Sequence, residues 1–364
     1  MKKFAAFLIV AMVFGMSIAL LSNVFSSEEF SFEKTDLENF EETVSENIPL
    51  REELSGLMDT VRYLSGVRHF DDIYIGSNGS LLLDIEKPTS RTFSAAKNYI
   101  LGFAEKNQIK PYFMLIPTAS AILQQELDSF SEKDIYNQRY MINNMYSEFE
   151  GGVRTTDIYQ TLYDHRGEYI YYHTENLPTS LGGYYIYGEL CSRLGIEQKK
   201  MDSFSVVYTA HGFYGSLATD FLKSYASPDF ISFYEHADGI KLILEHKRND
   251  GFKRFSQSLF IYNEKNFSDK TDMIFGGISP VMEITLSESS GDQGSLLVFG
   301  DETVKSWLPF LVSNYGRITF VDLNSAEEQL LSQISVSDYD QVLFAYSTAT
   351  FVSGIDFEKL EFVG

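Results

Sequence analysis

Residues 295–322 read SLLVFGDETVKSWLPFLVSNYGRITFVD. An apolar run of strand length, Ser295 to Phe299, gives way to a helical stretch from about Thr303 to Ser313, and a second run follows at Arg317 to Val321. A strand, a crossover of helical length and another strand imply parallel pairing. The alternation extends in both directions. Upstream, a helix at about Ser94 to Lys106 leads to an apolar strand, Pro111 to Ile116, and a helix at about Glu132 to Glu148 follows. Next come a short segment near Thr155 to Leu162, a strand at Tyr169 to Tyr172 and a helix from Thr179 to Leu194. Downstream lie a helix at about Ala326 to Ile334 and a strand at Gln341 to Tyr346. The pattern predicts an α/β fold, a mostly parallel sheet with helices on both faces.

Residues 205–290 interrupt this rhythm. Phe230 to Tyr234, Gly239 to Glu245, Ser256 to Tyr262 and Val281 to Leu286 read as short strands with few helices between them, a β-rich elaboration of the same domain. Near the start of the domain, Asp72 to Gly76 and Ser80 to Leu83 form a hairpin whose turn chemistry comes from Asn78-Gly79. Leu54, Leu57, Met58, Val61 and Leu64 recur at helical spacing, so a helix over Arg51 to Leu64 is expected to open the folded body, residues 51–364.

Lys2 and Lys3 precede an uncharged run from Phe4 to Leu21, and Glu28 and Glu29 follow. Eighteen apolar residues cover about 27 Å as a helix, close to the thickness of a bilayer core. Residues 1–25 are therefore expected to be a membrane anchor or, with Ser17-Ile18-Ala19 as the cleavage site, a secretory signal. Positive charge before the run and acid after it orient the remainder outside the cytoplasm. Residues 26–50, rich in Ser, Glu and Asp, read as an acidic spacer, partly helical near Thr35 to Val44. With 29 Lys plus Arg against 51 Asp plus Glu, the formal charge of −22 repels phosphate backbones, so nucleic acid is excluded as a partner. The single cysteine, Cys191, rules out an intramolecular disulfide, and the histidines show no metal-ligand spacing. No cofactor is implied.

The stretch Tyr171 to Tyr185, YYHTENLPTSLGGYY, resembles the signature region of the DHHW family of bacterial envelope proteins, relatives of SGNH-type acetyltransferases that modify exopolysaccharides. In that family a Tyr-Tyr-x-Thr run delivers Asp-His-His-Trp-Thr before a helix beginning near Gly and Tyr. Here Tyr171, Tyr172, Thr174, Thr179, Gly182, Tyr184 and Tyr185 keep the frame, while Glu175, Asn176, Leu177 and Pro178 hold the signature positions. Residues 296–322 are similar to the family's nucleophile segment: Leu296-Leu297-Val298-Phe299-Gly300-Asp301-Glu302, then Pro309-Phe310-Leu311, Tyr315 and Phe320-Val321-Asp322. His211-Gly212-Phe213-Tyr214-Gly215-Ser216-Leu217 resembles a further family segment, and Gly276-Gly277-Ile278-Ser279-Pro280 stands where the family carries Gly-Gly-Asn. The resemblance covers roughly Arg51 to Phe351 and implies an SGNH-like three-layer α/β/α sandwich.

Acyl transfer of the SGNH kind requires a serine at a strand-to-helix turn, a histidine to take its proton, an aspartate to orient the imidazole, and donors for the oxyanion. The resemblance puts Glu302 at the serine and Leu177 at the histidine, and the amide of Gly-Gly-Asn is missing. Losing nucleophile and base leaves only binding and oxyanion terms. The expectation is a catalytically inactive member that binds an envelope polysaccharide or supports the proteins that assemble or modify one. A second reading uses Glu175 and Glu302, with His173 and Asp301 as contributors, as a carboxylate pair acting on glycans or a residual acyl-ester hydrolase. Those same four residues are oxygen-rich enough to suit a hard cation, although nothing in their spacing demands one.

Overall fold

The computed structural model describes residues 51–127, 135–149, 151–263, 265, 267–287 and 293–364. The expected anchor and spacer lie outside them. The described residues fall into two units, one ending at Val67 and the other Arg68–Gly364. Within the first, a helix α1 spans Arg51–Leu64, as its apolar spacing predicts. Among the described residues no helix is long and apolar enough to cross a membrane.

The second unit is organised by an eight-stranded sheet. Its parallel half contains β4 (Tyr112–Ile116), β5 (Arg154–Thr156), β11 (Ser295–Gly300), β12 (Arg317–Val321) and β13 (Gln341–Ser347). They lie in the order β5-β4-β13-β11-β12 with parallel registers throughout, for example Leu297 opposite Thr319 and Phe299 opposite Phe344. Neighbouring residues on each strand face opposite sides. Met114, Leu296, Val298 and Phe320 enter one core, with Ile186 and Leu190 of α6 (Ser180–Leu194) and Trp307 and Leu311 of α7 (Val304–Leu311). Phe113, Leu115, Leu297, Phe299 and Phe344 enter the other, with Ile100 and Phe103 of α2 (Ser90–Lys106) and Met141 and Met145 of α4 (Gln138–Glu148). Helices thus cover both faces, as the continuous apolar runs require.

The β-rich stretch corrects the expectation of a mostly parallel sheet. β8 (Leu242–Lys247), β9 (Lys253–Ser256) and β10 (Val281–Leu286) extend the main sheet beyond β12, all antiparallel, so the sheet is mixed. β8 alternates buried and exposed positions, with Leu242 and Leu244 inward and Ile243 outward, the pattern of a strand covered on one face. Only β6 (Phe204–Phe213) and β7 (Asp229–His236) stand apart, as a two-stranded ribbon. The strand expected at Ser256 to Tyr262 does not form: β9 lies before it and ends at Ser256, and Phe260 makes an isolated bridge to Ile274. Near the start, β2 (Ile73–Ile75) and β3 (Leu81–Leu83) form the hairpin predicted around Asn78-Gly79.

The strand expected at Tyr169 to Tyr172 does not form. A tight loop replaces it, closed by Tyr172 N–H donating to Leu177 O at 3.2 Å and Thr179 N–H donating to Ile170 O at 2.9 Å. The tyrosines there pack and hydrogen-bond through side chains rather than through a ladder. The loop ends at Thr179, whose hydroxyl accepts from Gly182 N at the start of α6. α6 stops at Gly195, in the left-handed region at φ 72°. Gly182 and Gly183 set where α6 sits. A Cβ on Gly182 would lie 2.2 Å from Ile170 O, and one on Gly183 would lie 1.9 Å from Ser306 O on α7. Gly182 thus seats the start of α6 on the loop backbone, and Gly183 locks it against the helix leaving the Glu302 turn.

Candidate functional site

The two segments singled out by the sequence meet on one side of the sheet, through the α6–α7 contact, but their side chains have different surroundings. In the 173–179 loop the polar groups turn inward. Asp229, at the start of β7 and fully buried, accepts from Tyr169 OH at 2.5 Å, His173 N at 2.6 Å and Thr174 N at 2.8 Å, and from the Thr174 hydroxyl. The His173 imidazole lies 3.8 Å from the same carboxylate and packs edge-on against Tyr169.

Glu175 is buried at 8% exposure. Its Oε1 accepts from the Ser216 hydroxyl at 2.7 Å and from Asn176 N at 2.9 Å, and its Oε2 accepts from Ser216 N at 2.7 Å. Burial raises its pKa, and the Ser216 and Asn176 donors offset part of that rise. Gly215 makes this docking possible, since a Cβ there would stand 2.7 Å from the Glu175 Cβ and 2.6 Å from Thr174 O. Leu177 is 6% exposed and belongs to the core beneath α6, with Pro178 buried beside it.

The other segment follows β11. Asp301 serves the backbone: its Oδ2 accepts from Ser347 N at 2.7 Å, and its Oδ1 accepts from Thr303 N at 3.1 Å, tying the β11 turn to the end of β13. Glu302 is more than half exposed. Its Oε2 lies 3.1 Å from Lys305 Nζ one helical turn on. Lys305 is 2% exposed and also pairs with Asp272 at 2.7 Å and Asp269 at 3.8 Å. Burial opposes its charge, but Glu302, Asp272 and Asp269 together outweigh it and hold the ammonium above the ordinary lysine pKa.

Glu302 lines a cavity of about 240 Å³ with Asp301, Ser279, Asp322, Asn324, Ser325 and Thr350. Glu175 is not part of that wall. Its nearest charged link to this side is Asp269, one of the partners of Lys305. His173, Glu175, Asp301 and Glu302 therefore do not converge on one point, and among the described residues no group of three or more His, Cys, Asp or Glu side chains is arranged to hold a metal ion.

Asp229, Ser216 and Lys305 were not singled out as site residues in the sequence. Asp229 opens an apolar strand, where a carboxylate needs a reason, and Ser216 follows the glycine of a family-like segment. Lys305 gives no local signal beyond its spacing of three from Glu302.

A family model for DHHW proteins matches residues 83–321, which include both segments and the Ser216 docking piece. The chain belongs to the DHHW family. Among solved structures, a DHHW family protein from Eubacterium siraeum is similar, with a TM-score of 0.64, 21% identity, and coverage of 80% of this chain and 98% of that one. Bacillus cereus PatB1, in a structure with a sulfonyl adduct, is similar with a TM-score of 0.64, 15% identity, and coverage of 80% and 98% respectively. A second PatB1 structure gives a TM-score of 0.61 at 14% identity, covering 78% of this chain and 98% of that one. No curated protein matches the chain. These likenesses establish the mixed α/β fold of this DHHW chain.

Proposed function

We propose that this DHHW protein works at the cell envelope, outside the cytoplasm and held by its N-terminal apolar run, and that it binds an envelope polysaccharide, or supports the proteins that modify one, without transferring acyl groups itself. The observation that carries this reading is at Glu302. The residue at the nucleophile's position is a carboxylate tied to a buried lysine, and Leu177, at the base's position, is part of the hydrophobic core. An acyl-enzyme would need a hydroxyl and a base within reach of it. The nearby imidazole, His173, faces Asp229 instead.

The carboxylate-pair reading has the raised pKa of Glu175 in its favour. Against it, both Glu175 oxygens are occupied by protein donors, and the cavity at Glu302 does not include it.

Hydrolysis of an aryl acetate by the purified full chain in detergent micelles tests the proposal. The expected rate is that of the buffer, unchanged by Glu302→Ala. A rate well above background that disappears in the variant would overturn it. A second check uses the chemistry seen on PatB1. After incubation with a sulfonyl fluoride, the intact mass of this chain is expected to be unaltered, and an adduct on Ser216 or Ser279 would reveal a nucleophile this reading denies.

A further inference from the structure

The β6–β7 ribbon leaves a cleft where it meets α6 and α7. Successive side chains of β7 point to opposite sides, so Ile231 and Phe233 enter the core while Phe230, Ser232, Tyr234 and His236 share the other side, along about 20 Å of extended strand. Two cavities follow that row. The first, of about 110 Å³, is lined by Phe230, Ser232 and Tyr234 together with Tyr169, Tyr172 and Ser180. The second, of about 100 Å³, is lined by Tyr234, Glu235 and His236 together with Gln257, Phe260 and Pro309. Tyr234 is a wall of both.

The walls are held in place by the protein. Tyr169 stacks on Phe230 with ring centroids 4.4 Å apart, and Asp229 accepts from its hydroxyl at 2.5 Å. The Ser180 hydroxyl donates to Ser232 O at 2.7 Å, which sets the ribbon against the start of α6. Each cavity nevertheless keeps a polar group that the protein leaves unused. In the first, Tyr172 is 3% exposed, and its hydroxyl makes no hydrogen bond among the described residues. Burial, and then Asp229, Asp269 and Glu175, push its pKa up, so the hydroxyl stays a donor. In the second, the buried Nδ1 of His236 has no hydrogen-bond partner among the described residues. A buried polar atom left unpaired in a cavity wall is one that a ligand can satisfy. Among the described residues that line the two cavities there is no Lys or Arg, and the one carboxylate, Glu235, already accepts from the Tyr262 hydroxyl.

We infer that this cleft binds an uncharged glycan chain, laid along β7 with sugar rings against Phe230 and Tyr234 and with sugar hydroxyls bonded to the Tyr172 hydroxyl and to His236 Nδ1. This rests on the reading that the protein binds an envelope polysaccharide, and it gives that reading a site and a charge class. An aromatic face packs on the C–H side of a pyranose, and a sugar hydroxyl can both donate and accept, so one ligand type suits both the rings and the two unpaired groups. A uronic acid or a phosphorylated sugar would find no cation in the walls. An extended peptide recognised by strand addition would need the free edge of a strand, whereas the cleft presents the side chains of β7.

The full-length protein, in micelles of a detergent without a sugar headgroup, is titrated calorimetrically with hexamers of β-1,4-linked N-acetylglucosamine, β-1,4-linked glucose and α-1,4-linked galacturonic acid, and with purified envelope polysaccharide. A neutral hexamer is expected to bind at least tenfold more tightly than the galacturonate. Tyr234→Ala should weaken that binding at least tenfold. Tyr172→Phe and His236→Phe, which keep a ring in place, should each weaken it several-fold at an unchanged melting temperature. Tighter binding of the galacturonate would overturn the uncharged assignment. Binding of any of the four that Tyr172→Phe and His236→Phe both leave intact would overturn the site, while the glycan-binding reading stands. Where the polysaccharide alone binds, a several-fold loss in those two variants upholds the cleft. Absence of binding to all four removes both the cleft and the wider reading.

Discussion

The 173–179 loop and the Glu302 turn both fall within the part of the chain that matches the DHHW family, but their side chains sit in different surroundings. In the loop, Leu177 has been absorbed into the core, Glu175 is satisfied by Ser216 and Asn176, and the backbone is tied down by Asp229. At the turn, Glu302 remains more than half exposed beside a cavity. One of the two segments is built into the structure and the other has stayed at a surface beside a cavity. Substitution should therefore cost stability in the first place and little in the second.

The largest effect belongs to the loop. Asp229→Ala removes a buried acceptor and strands the N–H groups of His173 and Thr174, which should cost about 3–5 kcal/mol in urea unfolding. A loss below about 1 kcal/mol would show that the loop does not depend on this carboxylate. Leu177→Ala comes next, at about 2–4 kcal/mol, the usual cost of truncating a buried leucine. A neutral result there would mean that the position is not core, and the contrast between the two regions would weaken.

How much of this contrast could be read beforehand depends on which atoms carry it. The apolar runs at 296–299, 318–321 and 342–346, joined by crossovers of helical length, announce buried parallel strands covered on both faces. The antiparallel half was harder to place. β8 and β10 read as part of a β-rich elaboration of the domain, and only long-range pairing, such as Val281 with Val321, puts them in the main sheet. The tyrosines at 169–172 have strand propensity, yet Asp229, 60 residues beyond Tyr169, recruits them as hydrogen-bond partners instead. Likewise, nothing local to Lys305 foretells burial, because its partners Asp269 and Asp272 arrive from another segment. The identities of Leu177 and Glu302 are legible one residue at a time; their surroundings are not, because they are built from contacts distant in sequence.

His246 gives a pH test of the wall beside Glu302. Its pKa falls from 6.5 to about 4 on folding, so between those values the unfolded chain takes up a proton that the folded chain refuses. This contribution to stability is present above pH 6.5 and lost as pH falls through 4, roughly 3 kcal/mol at full extent. His246→Gln, which keeps a donor and an acceptor but cannot titrate, should flatten that part of the stability curve. An unchanged slope would place the proton elsewhere and show that the ring whose Nδ1 lies 2.9 Å from Ser279 Oγ, in the wall of the Glu302 cavity, is not held neutral.

The smallest effect on stability is expected at Glu302 itself. Its carboxylate is exposed, and Lys305 retains Asp272 at 2.7 Å when it is gone, so Glu302→Ser should change the unfolding free energy by less than about 1 kcal/mol. The variant places at the turn the hydroxyl that the family resemblance leads one to expect there, while Leu177 stays in the core. Ester hydrolysis should stay at background. Recovery of hydrolysis by this single change would mean that another group supplies the proton transfer, and the loop could no longer be described as purely structural. A destabilisation comparable to that of Leu177→Ala would place Glu302 among the residues that hold the fold and would deny the turn its distinct role.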